Sequence, residues 1–207
     1  MEDVLDLYAE PYDPKRPTVC FDELPYQIVA ETRVGLPVQP GRSQRVDYEY
    51  ERRGTCNIFM AVQPQAGWRH VEVTDRRTAH DFAQQMKALV DQHFPEAEGI
   101  RLVVDNLNTH TPAALYAAFP AAEARRWASK LEFHYTPKHG SWLNMAEIEL
   151  SVLGRQCLDR HFPGQDAVRS EAAAWERRRN AEQAVITWRF NTPDARIKLR
   201  RLYPSIS

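Results

Sequence analysis

The chain has 207 residues, of which 43% are hydrophobic and 27% are charged, and its net charge at pH 7 is −1. This length supports one main domain with a substantial core. No window approaches the roughly 18 uninterrupted apolar residues of a membrane span, and the acidic N-terminus MEDVLDLYAE does not resemble a signal peptide. We therefore expect a cytoplasmic protein with no membrane partner.

The cysteines exclude two kinds of chemistry. Cys20, Cys56 and Cys157 are odd in number and far apart, and they lack the paired spacing of a zinc site or a redox motif. We expect reduced, partly buried thiols.

The charge is distributed unevenly along the chain. Residues 154–207 carry 11 Lys and Arg against 6 Asp and Glu, whereas residues 1–153 carry 16 against 22. Basic runs such as ERRRN and RIKLRR can contact phosphate, but such runs are more often solvated helix faces. Composition alone leaves both interpretations open.

The N-terminal part of the chain predicts a linker followed by strands. Residues 1–16 read as a short acidic helix and a Pro-rich connector, EPYDPKRP, which together look like the remnant of a linker. After it, three strands are predicted in TVCFDE, CNIFMAVQP and RHVEVTD, and helical spacing follows over residues 79–94.

The second half alternates helices with two further strands. The β-branched run IRLVVDN predicts a strand buried on both faces of a sheet. TPAALYAAF predicts a helix, KLEFHYTP predicts another strand, and the chain from Ser141 to about Ala184 is mostly helical in pattern.

This order of elements predicts an α/β fold with a mixed sheet flanked by helices and a C-terminal helical extension. We place the core of the domain at residues 17–160 and the basic helical extension of the same domain at residues 161–207. The basic, loop-like segment 31–54, which contains Arg52 and Arg53, is a candidate for a substrate-facing loop.

Two acidic residues follow buried strands. Asp22 comes after Thr18–Phe21 and Asp105 comes after Leu102–Val104. Ligands collect at strand ends in α/β sheets, and a buried carboxylate needs a partner such as a divalent metal ion. Either residue alone could also be a turn former or a helix cap.

A third carboxylate on a following helix would complete a metal site. Mg²⁺ is held by a few carboxylates plus water and phosphate oxygens, and two such ions about 3.5–4 Å apart clamp a phosphodiester displacement. If Ser141 caps a helix over 142–160, Glu147 and Glu149 lie about 200° apart, so only one can face the strand ends. Periodicity alone leaves the choice between them open, because both share a stripe with apolar residues.

The stretches VCFDE, VVDNLNTH and HYTPKHGSWLNMAEIELS, in that order, resemble the three catalytic motifs of the DDE transposases of the mariner superfamily, most closely the bacterial insertion-sequence family 630. The similarity extends to the C-terminal WRFNTPDARIKLRRLYP. The resemblance implies an RNase H-like fold, Mg²⁺ or Mn²⁺ as cofactor, and DNA strand cleavage and joining. It assigns the catalytic, metal-binding carboxylates to Asp22, Asp105 and Glu147, and it decides for Glu147 over Glu149.

Two features depart from the family pattern. Asp105 and Glu147 are separated by 41 residues, a longer gap than is usual in the superfamily. The sequence also lacks the N-terminal helix-turn-helix region by which family members recognise their terminal repeats. We expect a catalytic part whose partners are transposon ends, target DNA, a second copy on DNA and a separate or missing helix-turn-helix region. On DNA, such a protein would be associated with the nucleoid.

Further residues are candidates for supporting roles. Lys138 and His139, in the turn before the third motif, together with Arg52 and Arg53, are predicted to contact DNA. Three others, Asn106, His110 and Asn144, are predicted to orient the carboxylates, against the alternative of ordinary turn, cap or structural residues. Glu23 is expected to point away from Asp22 and to have a solvent or structural role.

Two other functions compete with that of a transposase catalytic domain. One is a hydrolytic nuclease of the same fold, which cuts DNA without joining it. The other is a domesticated DNA-binding domain without enzymatic activity, for which the distinguishing feature would be loss of a carboxylate. All three carboxylates are present, which argues against the latter.

Overall fold

The computed structural model describes residues 1–31 and 50–203; residues 32–49, which hold most of the predicted basic loop, lie outside the described residues. The described strands form one mixed sheet in the order β3-β2-β1-β4-β5. Strands β1, β2 and β3 are antiparallel, whereas β4 and β5 run parallel to β1. Their bounds are Thr18–Glu31 (β1), Tyr50–Gln63 (β2), Trp68–Thr74 (β3), Ile100–Val104 (β4) and Leu131–Tyr135 (β5). The predicted α/β class is confirmed.

The helices are α1 (Glu2–Ala9), α2 (Ala79–Ala88), α3 (Pro112–Ala118), α4 (Ala121–Ala128), α5 (Met145–Leu153), α6 (Gln165–Ala181) and α7 (Thr192–Lys198). One π-helical turn, Leu89–His93, continues α2, and another, Gly154–Leu158, continues α5. Short 3₁₀ turns cover Ser141–Leu143 and Arg200–Leu202. None of the helices described in residues 1–31 and 50–203 is long and apolar enough to cross a membrane.

The sheet has a hydrophobic core on each face. On one face, Phe21 and Phe59 of the sheet pack with Phe82 of α2 and Leu115 of α3. Cores on both faces explain why all five residues of β4 are buried, as its β-branched sequence predicts. The opposite core contains residues of α1, α5 and α6, including Val4, Leu150, Leu153, Val168 and Trp175.

Residues 2–9 correct the prediction of a linker remnant. They form α1, and its residues Val4, Leu5 and Leu7 are buried in the core. The Tyr8 hydroxyl also donates a hydrogen bond of 2.7 Å to the carbonyl of Leu143. Its apolar residues pack into this core, which the acidic and Pro-rich composition of residues 1–16 does not indicate.

The C-terminal extension packs on the same sheet. In α6, Val168, Ala172 and Trp175 are buried. The Asn180 side chain forms two hydrogen bonds of 2.8 Å with the backbone of Arg69 in β3, one as donor and one as acceptor. All three cysteines are free and buried, as predicted.

Candidate active site

Asp22 and Asp105 lie at neighbouring positions of two parallel strands. Val19 pairs with Leu102 and Cys20 pairs with Val103 in the β1–β4 register. The same register, continued by two residues, brings Asp22 beside Asp105 where the pairing ends. Parallel strands present their carboxyl ends at one edge of the sheet, and this edge is where ligands of such folds bind.

Asp22 is a buried carboxylate, with 8% of the residue exposed. Its Oδ1 accepts a 2.8 Å hydrogen bond from the Glu23 backbone N–H, and its Oδ2 lies 3.4 Å from Nδ2 of Asn144. Burial, together with the negative charges of Asp105, Glu23 and Glu147, raises the pKa of Asp22 to about 7, despite the hydrogen bond from Glu23. The charged form of Asp22 therefore lacks a compensating positive charge.

Asp105 is held by two contacts on one oxygen. Its Oδ1 accepts a hydrogen bond of 3.1 Å from the Leu107 backbone N–H and lies 2.6 Å from Nδ1 of His110. Burial opposes ionisation, but these hydrogen bonds and the charge of His110 outweigh it and lower the pKa of Asp105. Burial also opposes charge on His110, yet Asp105 and Glu23 raise the pKa of its imidazole to about 9.

Helix α5 starts later than the sequence pattern suggested. Ser141 opens a 3₁₀ turn, and the residue that caps α5 is Asn144. Its side-chain oxygen accepts from the Ala146 N–H at 3.1 Å, and its amide nitrogen donates to the Phe21 carbonyl at 2.8 Å. The prediction that Ser141 caps this helix is therefore wrong, because Asn144 satisfies the helix terminus and joins it to β1 with one side chain.

This cap places Glu147 in the first turn of α5 and beside Asp22. Both line a cavity of about 470 Å³, together with Glu23, Leu24, Leu150, Ser151, Gly154 and Arg155. Asp105 does not line this cavity, although its charge acts on Asp22. In the part of the chain that the structure describes, no three His, Cys, Asp or Glu side chains are already arranged to hold a metal ion. Asp105 and Glu147 are therefore each close enough for their charges to act on Asp22, but the three carboxylates do not form a closed set of ligands.

Glu149 faces a different environment. It is buried, and its carboxylate lies 2.9 Å from Nε of Arg69 and 2.9 Å from Nη2 of Arg179. Two residues of helix rotate the side chain by about 200°, so Glu147 and Glu149 point to different surroundings, as expected.

A family comparison agrees with this geometry. The family model described as DDE superfamily endonuclease matches residues 17–169, which is most of the chain. The chain belongs to the DDE superfamily endonuclease family. Among curated proteins, none matches it.

Solved structures share the fold of this DDE endonuclease. One is the Mos1 mariner paired end complex with Mn, with 16% sequence identity and a TM-score of 0.53 over 87% of this chain and 56% of that one. Another is the Mos1 strand transfer complex, with 15% identity and a TM-score of 0.55 over 88% of this chain and 56% of that one. The chain thus spans slightly more than half the length of these proteins, and the RNase H-like fold that the resemblance implied is confirmed.

The residues predicted to contact DNA are dispersed. Lys138 and His139 are exposed in the turn that follows β5, where His139 has a φ of 63°. Arg52 lines another cavity, of about 650 Å³, and Arg53 pairs with Glu51 at 2.7 Å. Neither arginine lines the cavity of Asp22, so the structure does not bring them to the carboxylates.

The residues predicted to orient carboxylates divide into two groups. Asn144 and His110 contact Asp22 and Asp105, respectively. Asn106 instead donates to the carbonyl of Thr136, so its side chain joins the ends of β4 and β5.

Sequence reasoning missed Glu23 and Arg155. The alternation along β1 correctly indicated that Glu23 turns away from Asp22, but no sequence pattern showed that it would meet His110. Arg155 follows Glu147 by eight residues, slightly more than two helical turns, and this spacing could have indicated that both line one cavity.

Proposed function

We propose that this DDE endonuclease is the catalytic part of a DNA transposase that cuts DNA and joins the freed end to target DNA. The observation that supports the proposal is the arrangement of Asp22, Asp105 and Glu147. Asp22 lies within β1, two residues past its last pairing with β4, so the expectation that this strand ends before Asp22 is wrong, whereas Asp105 directly follows β4 as expected. Glu147 lies in the first turn of the helix capped against β1. Three carboxylates from distant parts of the chain suit metal-dependent phosphoryl transfer.

The residues present fit divalent metal ions. All the candidate ligands are carboxylates, whose oxygens suit Mg²⁺ and Mn²⁺. Burial and the negative charges of Asp105, Glu23 and Glu147 raise the pKa of Asp22, so a cation bound beside it would offset the cost of its ionised form. Asp22, Asp105 and Glu147 would hold one or two ions, and two ions would stabilise the attacking and leaving oxygens of a phosphodiester displacement.

Other side chains of the chain have roles in orientation. Asn144 links the start of α5 to the Phe21 carbonyl and contacts Asp22, so it fixes the position of Glu147 relative to β1. Lys138 is exposed in the turn before this helix, where it can contact a DNA phosphate. Arg155 brings a positive charge to the cavity of Asp22 and Glu147, where the scissile phosphate would lie.

The likeness to solved structures supports DNA as partner. The matched Mos1 structures are described as a paired end complex with Mn and as a strand transfer complex. By analogy, this chain would bind transposon ends and target DNA and would assemble as a homodimer on DNA. Recognition of the ends would require a helix-turn-helix region outside residues 1–207.

Two alternative functions use the same fold. A hydrolytic nuclease would use the same carboxylates to cut DNA but would not join ends. A non-enzymatic DNA-binding domain has no need for three carboxylates at one edge of the sheet, so this alternative is disfavoured.

The test is a pair of assays with Mn²⁺, low salt and DNA duplexes of arbitrary sequence. One measures cleavage, and the other measures joining of a pre-cut end to a target plasmid. Wild-type protein should do both, and Asp22→Asn, Asp105→Asn and Glu147→Gln should each lose both by orders of magnitude. Glu123→Gln, in the first turn of α4, is the matched control and should retain both activities. Cleavage without joining would favour the hydrolytic nuclease, and full activity in the three variants would refute the assignment.

A further inference from the structure

Glu23 and His110 are buried ionisable side chains beside the candidate site. The side chain of Glu23 is 3% exposed and that of His110 is 1% exposed. Glu23 directly follows Asp22, and His110 lies five residues after Asp105. Burial of an ionised side chain is costly unless its charge is paired, so Glu23 and His110 are each expected to have a charged partner.

His110 bridges two carboxylates that belong to different strands. Its Nδ1 lies 2.6 Å from Oδ1 of Asp105, and its Nε2 lies 2.9 Å from Oε2 of Glu23. The ring also packs against Phe21 and Phe82, at centroid distances of 5.9 and 4.8 Å. The Nδ1–Oδ1 contact is a hydrogen bond, whereas the Nε2–Oε2 contact is close but not aligned as a hydrogen bond, so Glu23 acts on the imidazole through charge and proximity. The aromatic rings beside the imidazole limit its orientation.

These contacts restrict how Asp105 presents its oxygens. Both the Leu107 N–H and His110 contact Oδ1. Within residues 1–31 and 50–203, no hydrogen bond to Oδ2 is found. The carboxylate is therefore held by one oxygen, and the other remains available for a cation.

We propose that Glu23 acts through His110 as a positioning residue for Asp105. Asp22 would then bind the metal ion directly. Its neighbour Glu23 would orient the other metal-binding aspartate, Asp105. This inference rests on the proposed function of Asp105 as a metal ligand. Residues that hydrogen-bond to metal ligands commonly affect metal affinity as well as activity.

The experiment measures the affinity of the protein for Mn²⁺ from the electron paramagnetic resonance signal of the free ion. The variants are Glu23→Gln, His110→Gln and the double variant, with Asp22→Asn to test the site itself. Glu176→Gln is the matched control, because Glu176 is also a partly buried glutamate that contacts a histidine, His70, outside the candidate site. Thermal unfolding of each variant shows whether it is folded.

We expect Glu23→Gln and His110→Gln each to weaken Mn²⁺ binding by about 10- to 100-fold. Because the two residues act in one chain of contacts, the double variant should bind Mn²⁺ within about twofold of the weaker single variant. Glu176→Gln should bind like the wild type.

The outcomes separate this inference from the proposed function. If wild-type protein does not bind Mn²⁺, or if Asp22→Asn binds it equally well, the proposed function fails. If Asp22→Asn loses binding while Glu23→Gln retains wild-type affinity, only the role of Glu23 is overturned. Fully additive losses in the double variant would also overturn it, because Glu23 would then act directly rather than through His110. Should Glu23→Gln not fold, wild-type affinity in His110→Gln would by itself overturn the inference.

Discussion

Glu149 lies 2.9 Å from Nε of Arg69, and neither side chain reaches solvent. Arg179 contacts the same carboxylate through Nε and Nη2, at 3.1 and 2.9 Å. Arg69 also donates to the carbonyls of Gly67, Arg179 and Ala184. This buried cluster connects α5 with β3 and with the end of α6, whereas Glu147, two residues earlier, lines the cavity of Asp22. One helix therefore carries a stabilising glutamate and a candidate catalytic glutamate.

Glu149→Gln should destabilise the fold much more than it changes the chemistry. The substitution leaves the buried Arg69 and the partly buried Arg179 without their carboxylate, and breaking a buried pair costs about 3–5 kcal/mol of unfolding free energy. Cleavage by the folded variant should stay within about tenfold of wild type, which is about 1.4 kcal/mol of barrier. Urea unfolding and a cleavage assay at a temperature where the variant is folded measure the two effects.

Two controls accompany this prediction. Glu98→Gln removes an exposed ion pair with Lys15 and should leave the midpoint of urea unfolding close to that of wild type. Glu147→Gln should show the opposite behaviour, with near-normal stability and cleavage lower by orders of magnitude. A stable but inactive Glu149→Gln would instead indicate that Glu149 takes part in the reaction.

Asp22→Asn should stabilise the metal-free protein at high pH. The folded pKa of Asp22, about 7, lies above its ordinary value of 3.8, so the unfolded chain loses this proton at lower pH than the folded one. Ionised Asp22 therefore lowers the free energy of unfolding. This loss is zero below about pH 4, grows as the pH rises and reaches its full size above about pH 7. The raised pKa of Asp22 corresponds to a loss of at most about 4 kcal/mol of unfolding free energy.

Thermal unfolding with a chelator at pH 8 and pH 4 measures this effect. The melting temperature of Asp22→Asn should exceed that of wild type at pH 8, and the difference should vanish at pH 4. At pH 8, addition of Mn²⁺ should stabilise the wild type but not the variant, because only the wild type retains the ligand. A variant that is less stable than wild type at pH 8 would show that Asp22 has a structural role.

DNA binding by the isolated chain should be weak, unselective and strongly dependent on salt. Exposed basic residues can contact phosphates, but the sequence contains no evident recognition helix. Lys138→Ala should weaken binding equally for all DNA sequences and should reduce the slope of log affinity against log salt by about 1. Lys15→Ala, which removes a lysine already paired with Glu98, is the control. Fluorescence anisotropy at several salt concentrations measures the DNA affinity of each variant and its dependence on salt. Nanomolar, selective binding to one terminal repeat would contradict the prediction.

The buried strands and the acidic residues that follow their apolar runs can be recognised from local patterns in the sequence. The β-branched runs before Asp22 and Asp105 indicate strands buried in the interior of a sheet. Acidic residues at their ends indicate a ligand site, since parallel strands bring such ends together. Each strand and its acidic residue are recognised within a short stretch, whereas the meeting of Asp22 and Asp105, which are 83 residues apart, depends on the pairing of β1 with β4.

The remaining features depend on contacts between distant residues. The acidic segment that contains Val4 and Leu5 looked like a linker because its apolar face has no partner until the sheet is formed. Ser141 and Asn144 are both good helix caps, and only the position of the Phe21 carbonyl favours Asn144. In the same way, the burial of Glu149 requires Arg69, which is 80 residues away in sequence, so helical periodicity could not reveal it.

The most direct test of the account is the location of metal ions in a crystal of this chain soaked with Mn²⁺. Anomalous scattering at the manganese edge identifies the ions independently of how the protein is fitted. We predict one or two peaks within bonding distance of carboxylate oxygens of Asp22 and Asp105, with Glu147 completing the set of protein ligands. Absence of a peak at this site in crystals that bind Mn²⁺ elsewhere, or a peak coordinated by Glu149, would contradict the assignment of these three residues.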